Sequence, residues 1–377
     1  MSDAALSRAD LKRGRTLAWL ALAAALLAAA AIGAVLSDRA AVAPSAMNET
    51  MYPGFAESSA DAASIRIESP TVIVTLNKDP GGRWVVAERS GYPANAEGVR
   101  ALMLSMAQLR LIERRTADPA RHAALELTTG AAGTGHAVTV TAADGSVLAA
   151  LVAGKVQARA AGSSPGTLFV RRGGEDQTWL ARGVVAIPAS IGATLDKTLF
   201  ALDEARVKTV RVEPRGLQRY TRPGPVPGGA FALAAVPEGK VAQPPQILQT
   251  PASAVAGLVF EDVIKADAVE VAEATTVAFT TFDGLVVTLT LVPGGPGGAY
   301  GLIGAAVDEA LAAAPPPAEG AAKSDAGAEA AAINSRVGGW AYKLPTYVLT
   351  NLVPPLETLV ADKPAEAAPE APPAPPQ

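Results

Sequence analysis

The sequence predicts an α+β protein: a single N-terminal transmembrane helix followed by two tandem, similar units of antiparallel β-strands with packed helices. Three observations carry this. Thr16–Leu36 holds no charged side chain. Short runs after residue 64 alternate apolar and polar residues, the period of a half-buried strand. An ordered set of strand, helix and hairpin signals then recurs in the second half of the chain.

The N-terminal run comes first. At ~1.5 Å per residue it reaches ~31 Å, about one hydrocarbon core. Arg8, Lys12, Arg13 and Arg15 precede it, and Arg39 beside Asp38 follows. The positive-inside rule puts residues 1–15 in the cytoplasm and everything past the anchor (16–36) on the other side. Arginine-rich, alanine-rich usage points to a bacterium, hence a single-pass inner-membrane protein with a periplasmic body. A cleaved signal peptide is the competing reading, because Ala41-Val42-Ala43 resembles a cleavage site. The length of the run and Pro44 just beyond that site favour an anchor.

Residues 37–63 read as a polar tether. The first β-rich unit is expected over 64–203. Ile65 and Ile67, then Val72, Val74 and Leu76, alternate with polar residues. Asp79-Pro80-Gly81-Gly82 turns the chain into Arg83-Trp84-Val85-Val86. Val99, Leu102, Met103, Met106 and Leu109 fall at helical spacing over 97–113. Asp144-Gly145 separates the apolar runs 136–140 and 147–152, a strong hairpin signal. A second hairpin is read around Gly173-Gly174, and 188–202 reads as a short helical segment.

The second unit, 204–362, repeats the order. Val210-Arg211-Val212 echoes Ile65-Arg66-Ile67, and Ala252–Ile264 takes the place of the first helix. Asp283-Gly284 repeats Asp144-Gly145, and Trp340 with Leu344-Pro345 repeats Trp179 with Ile187-Pro188. An insertion at 305–332, mostly alanine, proline, glycine and glutamate, is expected to be disordered, as is the Pro/Ala-rich tail 363–377.

Composition excludes much chemistry. The 377 residues include no cysteine and two histidines, which leaves no thiolate metal site, disulfide framework or multi-histidine centre. A net charge of −4 argues against nucleic acid as the main partner. There is no Walker loop and no Gly-x-Ser-x-Gly elbow. His122 and His136 lie near no nucleophile motif. Glu261-Asp262 and Asp203-Glu204 are the carboxylate pairs weighed for hydrolysis, and both read as solvated helix ends. No catalytic residue, cofactor or metal is therefore expected.

Two basic clusters remain. One is Arg114, Arg115 and Arg121 with His122. The other is Arg211, Arg215, Arg219 and Arg222 around Tyr220, candidate contacts for an anionic partner such as a phosphate headgroup or glycan.

The chain also resembles a known family. Tyr52-Pro53-Gly54-Phe55, the Ile65-Arg66-Ile67 strand, Arg83-Trp84-Val85-Val86 and Tyr92-Pro93-Ala94 before a helix carry the likeness. So do Ala153-Gly154-Lys155, Leu168-Phe169-Val170-Arg171 and Trp179-Leu180. Together they resemble the bacterial domain of unknown function 4340 family, most clearly over Met51–Leu202. The resemblance implies membrane-anchored proteins encoded beside the components of gliding-motility-type ABC transporters. The function expected is thus a non-enzymatic, inner-membrane-anchored periplasmic accessory subunit of an ABC-type transport or envelope complex, with a permease or auxiliary subunit as partner. An envelope glycan- or lipid-binding module is the alternative, and a hydrolase with an unrecognised carboxylate dyad is third.

Overall fold

The computed structural model describes residues 48–130, 132–157, 166–214, 219–221, 229–294, 298–314 and 324–363. The expected cytoplasmic segment, the anchor Thr16–Leu36, Arg215, Arg222 and the tail beyond Lys363 lie outside them. Among the described residues no helix is long and apolar enough to cross a membrane.

In chain order, the first half carries β1 (Glu49–Thr50), α1 (Phe55–Ser58), β2 (Ala62–Glu68), β3 (Ile73–Lys78), β4 (Trp84–Val86) and β5 (Tyr92–Pro93). It continues with α2 (Ala96–Ala107), β6 (Arg110–Arg114), β7 (His136–Ala142), β8 (Val147–Gln157), β9 (Thr167–Arg172) and β10 (Thr178–Arg182). The second half opens with β11 (Val207–Glu213), β12 (Arg219–Thr221), β13 (Ala232–Leu233) and β14 (Lys240–Ala242). Next come α3 (Pro245–Leu248), α4 (Thr250–Ala256), β15 (Asp262–Lys265), β16 (Thr275–Thr281), β17 (Leu285–Pro293) and β18 (Ala299–Val307). Last are α5 (Glu309–Ala313), α6 (Ala326–Val337), β19 (Trp340–Leu344), α7 (Thr346–Leu352) and β20 (Val360–Asp362). The fold is α+β, with antiparallel strand pairing.

Contacts divide the chain into two compact units, and the division is discontinuous. One comprises residues up to Ile73 with Arg100–Ile187; the other comprises Val74–Val99 with Pro188 onward. These are not the contiguous stretches 64–203 and 204–362 read from sequence: Val74–Val99, with β4 and β5, groups with the chain from Pro188 onward. Ala94 bridges Leu195, and Asn95 N–H donates to the Thr194 carbonyl at 2.8 Å.

In the first unit the strand order is β1-β6-β10-β9-β8-β7-β2. Alternation sets its faces: Ile65 and Ile67 are buried with exposed Arg66 between them, and Val138 and Val140 repeat the pattern opposite. In the second unit the order is β13-β12-β11-β16-β17-β18-β19-β15. Val210, Val212, Val277, Phe279, Val287 and Leu289 form the buried face there. The run β2-β7-β8-β9-β10-β6 thus follows the same succession as β11-β16-β17-β18-β19-β15. A register shift falls between Ala62 and Ser64 in the first run and between Val207 and Thr209 in the second.

Five expectations are corrected. Residues 48–63 are no mere tether: β1 pairs with β6, and Met51 and Phe55 are buried. The helix expected over 97–113 ends at Ala107, and Arg110–Arg114 becomes a strand held between β1 and β10. Its counterpart over 252–264 likewise gives way to β15. Over 188–202 only Ile191–Thr194 turns, as a 3₁₀ segment.

The last correction is the insertion at 305–332, of which residues 315–323 lie outside the described residues. Residues 305–307 complete β18, and Ala326–Val337 is a helix that packs on β17 and β18. Asp325 caps it by accepting from Ala328 N–H at 3.0 Å. Ala326, Ala330, Ile333 and Val337 are buried at helical spacing. Arg206 fixes it further, reaching Glu329 at 2.8 Å and Asp283 of the hairpin turn at 2.8 Å, while Ser324 hydrogen-bonds the same Asp283 oxygen. The hydrogen bond to Glu329, followed by that to Asp283, raises the Arg206 pKa against the cost of burial.

Candidate functional site

The arginines come apart on inspection. Arg211 lies on β11, exposed, in an ion pair with Glu213 two residues on. Arg219 on β12 is its cross-strand partner in the backbone register. Tyr220 is fully buried; its hydroxyl has no partner among the described residues, and burial pushes its pKa up. In the other cluster, Arg114 donates to Gln177 at 2.5 Å, Arg115 pairs with Glu113 at 3.1 Å, and Arg121 lies 3.7 Å from Asp118. His122 is buried, with Nε2 2.9 Å from the Asp176 carbonyl. His136 opens β7, and its Nδ1 is buried without a partner among the described residues.

The carboxylate pairs are engaged in structure. Asp203 Oδ1 accepts from Ala205 N–H at 2.8 Å, and Glu204 accepts from the Ser253 hydroxyl at 2.5 Å. Asp262 takes a two-pronged bond from Arg89 at 2.5 and 2.7 Å, the geometry that suits guanidinium and carboxylate. Glu261 lies 3.7 Å from Lys343. Among the described residues no group of three or more His, Cys, Asp or Glu could hold a metal ion.

What sequence reasoning missed is an aromatic nest in the second unit. Tyr92 sits edge-on to Trp340 at 5.0 Å, and Phe260 to Tyr342 at 5.0 Å. Lys265 Nζ lies 3.6 Å above the Trp340 ring, a cation–π contact, and Lys197 Nζ lies 4.1 Å above Phe260. Lys197 also donates to the Phe260 carbonyl at 2.8 Å, and burial lowers its pKa. Burial pushes the Tyr92 hydroxyl up to about 12. Phe260 and Val263, buried on either side of Glu261-Asp262, are the available signal, hidden because the helical stretch over 252–264 runs straight into them.

Burial alone would raise the Asp262 pKa, but Arg89 and the Val263 N–H hold it below its ordinary 3.8. A depressed carboxylate contributes stability that is complete above the unfolded value and disappears as pH falls through the folded one. Asp262→Asn is therefore expected to lower stability at pH 6, and the gap to the parent should close below pH 3.8. Urea unfolding across pH 2–7 reads this directly. A gap that stays constant with pH would remove the ion pair from the account.

Two clefts remain. One in the first unit, about 540 Å³, lies at the turn after β2, lined by Ser69, Pro70, Thr71, Thr129 and Gly130 among others. The second unit has a cleft of about 400 Å³ at the ends of β15, β17 and β18 and the loop 266–274. Ile264, Val269, Val292, Pro293 and Tyr300 line it, with Glu270 and Glu273. Both volumes lie within the range of ligand or side-chain pockets.

The fold and these sites define an α+β protein of antiparallel sheets with a buried aromatic nest and two open clefts. The family described as "Domain of unknown function (DUF4340)" matches residues 84–276, just over half of the chain, and the chain belongs to that family. The matched stretch starts and ends later than the likeness traced over Met51–Leu202. No curated protein and no solved structure matches the chain.

Proposed function

We propose that this chain is a non-enzymatic accessory subunit, anchored in the bacterial inner membrane, whose periplasmic body serves an ABC-type transport or envelope complex. The observation that carries the reading is the charge-free run Thr16–Leu36 behind Arg8, Lys12, Arg13 and Arg15 in a member of the DUF4340 family. Such a run suits one membrane crossing with the basic end in the cytoplasm.

The body is read as two tandem copies of one unit. The matching strand successions support this, as do the register shifts at Ala62/Ser64 and Val207/Thr209. Gly145 and Gly284 also turn equivalent hairpins with φ of 85° and 90°. A 3₁₀ turn at Ser59–Asp61 leads into β2, as one at Glu204–Arg206 leads into β11.

Mild detergent extraction of the tagged full chain is expected to recover a permease or its auxiliary subunit. Protease added to spheroplasts should degrade the body and spare the N-terminus. Recovery of the chain alone, or its release from membranes by alkaline carbonate, would count against the reading. The alternative, an anionic glycan- or lipid-binding module, draws on the register of Arg211 opposite Arg219. Changing Arg215, Arg219 and Arg222 together to Glu tests it: unchanged binding to anionic envelope fractions removes it.

A further inference from the structure

We propose that the cleft on the second unit is a docking site for a peptide segment of a partner protein, which seats an apolar side chain in the cleft and sets basic residues beside it. This goes beyond the anchor-based reading and does not depend on it.

The argument starts from corresponding strands. His136, the first residue of β7, pairs with Ala153, and Thr275, the first residue of β16, pairs with Leu291. Gly154 and Val292 are the next residues along, so they occupy the same place in their two sheets. Around Gly154 the space is filled. The loop residues 115–130 fold back there and bury Leu127 completely. A Cβ on Gly154 would lie 2.3 Å from the Leu125 carbonyl oxygen and 2.8 Å from that of Glu126. Arg171 holds the segment by donating to the Leu127 carbonyl at 3.0 Å. The first unit thus carries its own covering segment, with leucine as the seated residue.

The second unit has a much shorter connection, 266–274, and there the cleft opens. Its floor is Ile264, Val269, Val292 and Pro293, with Tyr300 at one side. Its volume of about 400 Å³ is ample for one large aliphatic or aromatic side chain and its backbone. Glu270 and Glu273 are exposed at the edge. The connection carries Asp267, Glu270 and Glu273 and no basic residue. An apolar floor with acidic margins selects an apolar anchor with lysine or arginine beside it.

The test uses the full chain in its native cells, with a benzophenone-bearing amino acid in place of Ala272 and, as background control, in place of exposed Val147. The expected result is a crosslink at 272, absent at 147, to a peptide in which an apolar residue neighbours Lys or Arg. Glu270→Lys with Glu273→Lys should cut its yield by about tenfold, since reversing two rim charges removes on the order of 1–2 kcal/mol. Val292→Trp, which fills the cleft, should abolish it; the rim variant keeps the test readable if that protein fails to fold. Crosslinks to lipid, to a second copy of the chain or to an acidic peptide would overturn the proposal. So would no crosslink, or one indifferent to the rim charges. Fractionation of the same cells separates the two readings: a crosslinking chain that is not membrane-bound sinks only the anchor.

Discussion

Tyr92→Ala is expected to destabilise the second unit by about 3–5 kcal/mol, the cost of emptying an aromatic site in a core. Tyr92 is 3% exposed. Its ring meets Trp340 at 5.0 Å, Phe260 at 6.1 Å and Tyr342 at 6.2 Å, all edge-on. Edge-to-face contacts add about 0.5–1.5 kcal/mol beyond burial. Its hydroxyl donates to the Asp196 carbonyl at 3.1 Å, so Tyr92→Phe should cost only about 1 kcal/mol. Thermal unfolding should show a fall of roughly 10 °C for the alanine variant. A double-mutant cycle with Trp340→Ala should show strong coupling. A loss below about 1 kcal/mol for alanine would mean that the β3–β5 hairpins are not held by this nest.

Gly154→Val is the second large effect, with an expected cost of about 3 kcal/mol from overpacking. The obstacle is backbone: the Leu125 carbonyl oxygen would stand 2.3 Å from the new Cβ, and a carbonyl cannot rotate away as a flexible side chain could. The loop that buries Leu127 should lift, so hydrogen exchange should quicken around Leu125–Leu127 as well as along β8. Gly145→Ala offers the contrast. That glycine has open space around it but a φ of +85°, so only the left-handed backbone is penalised, by about 1–2 kcal/mol. If Gly154→Val proves as mild as Gly145→Ala, the loop does not press on β8 as described.

Much of the fold was legible in the sequence because it is written in local terms. The pairs Ile65/Ile67 and Val138/Val140 alternate with polar residues, and Asp-Gly turns sit between β7 and β8 and between β16 and β17. Errors came where one pattern ran into another. Val99 to Leu109 keeps helical spacing up to the point where Leu109 and Leu111 begin to alternate, and nothing local marks the change. Alanine misled in the opposite sense: 305–332 looked too poor in apolar area to order, yet Ala326 and Ala330 are buried in a helix that packs on β17 and β18.

The candidate sites were less legible. The arginines stood out as letters, but Arg211 answers its own neighbour Glu213. Glu261-Asp262 looked like solvated acids, while Asp262 belongs to Arg89, far away in sequence. No spacing rule links Tyr92 with Phe260, Trp340 and Tyr342, because only chain closure brings those strands together.

By itself, then, the sequence determined the class of the protein: antiparallel strands and helices, a chain without cysteine and with two histidines, and a hydrophobic run long enough for a membrane. These depend on composition and on periods of two and of about three and a half, which a chain carries before it folds. Only the tertiary structure decided which strands share a unit, where the aromatic nest closes and where a cleft is left open. Those outcomes turn on long-range pairing and on whether a distant loop reaches a given surface. Leu125–Leu127 covers Gly154 in the first unit, and the shorter connection 266–274 leaves Val292 lining an open cleft in the second.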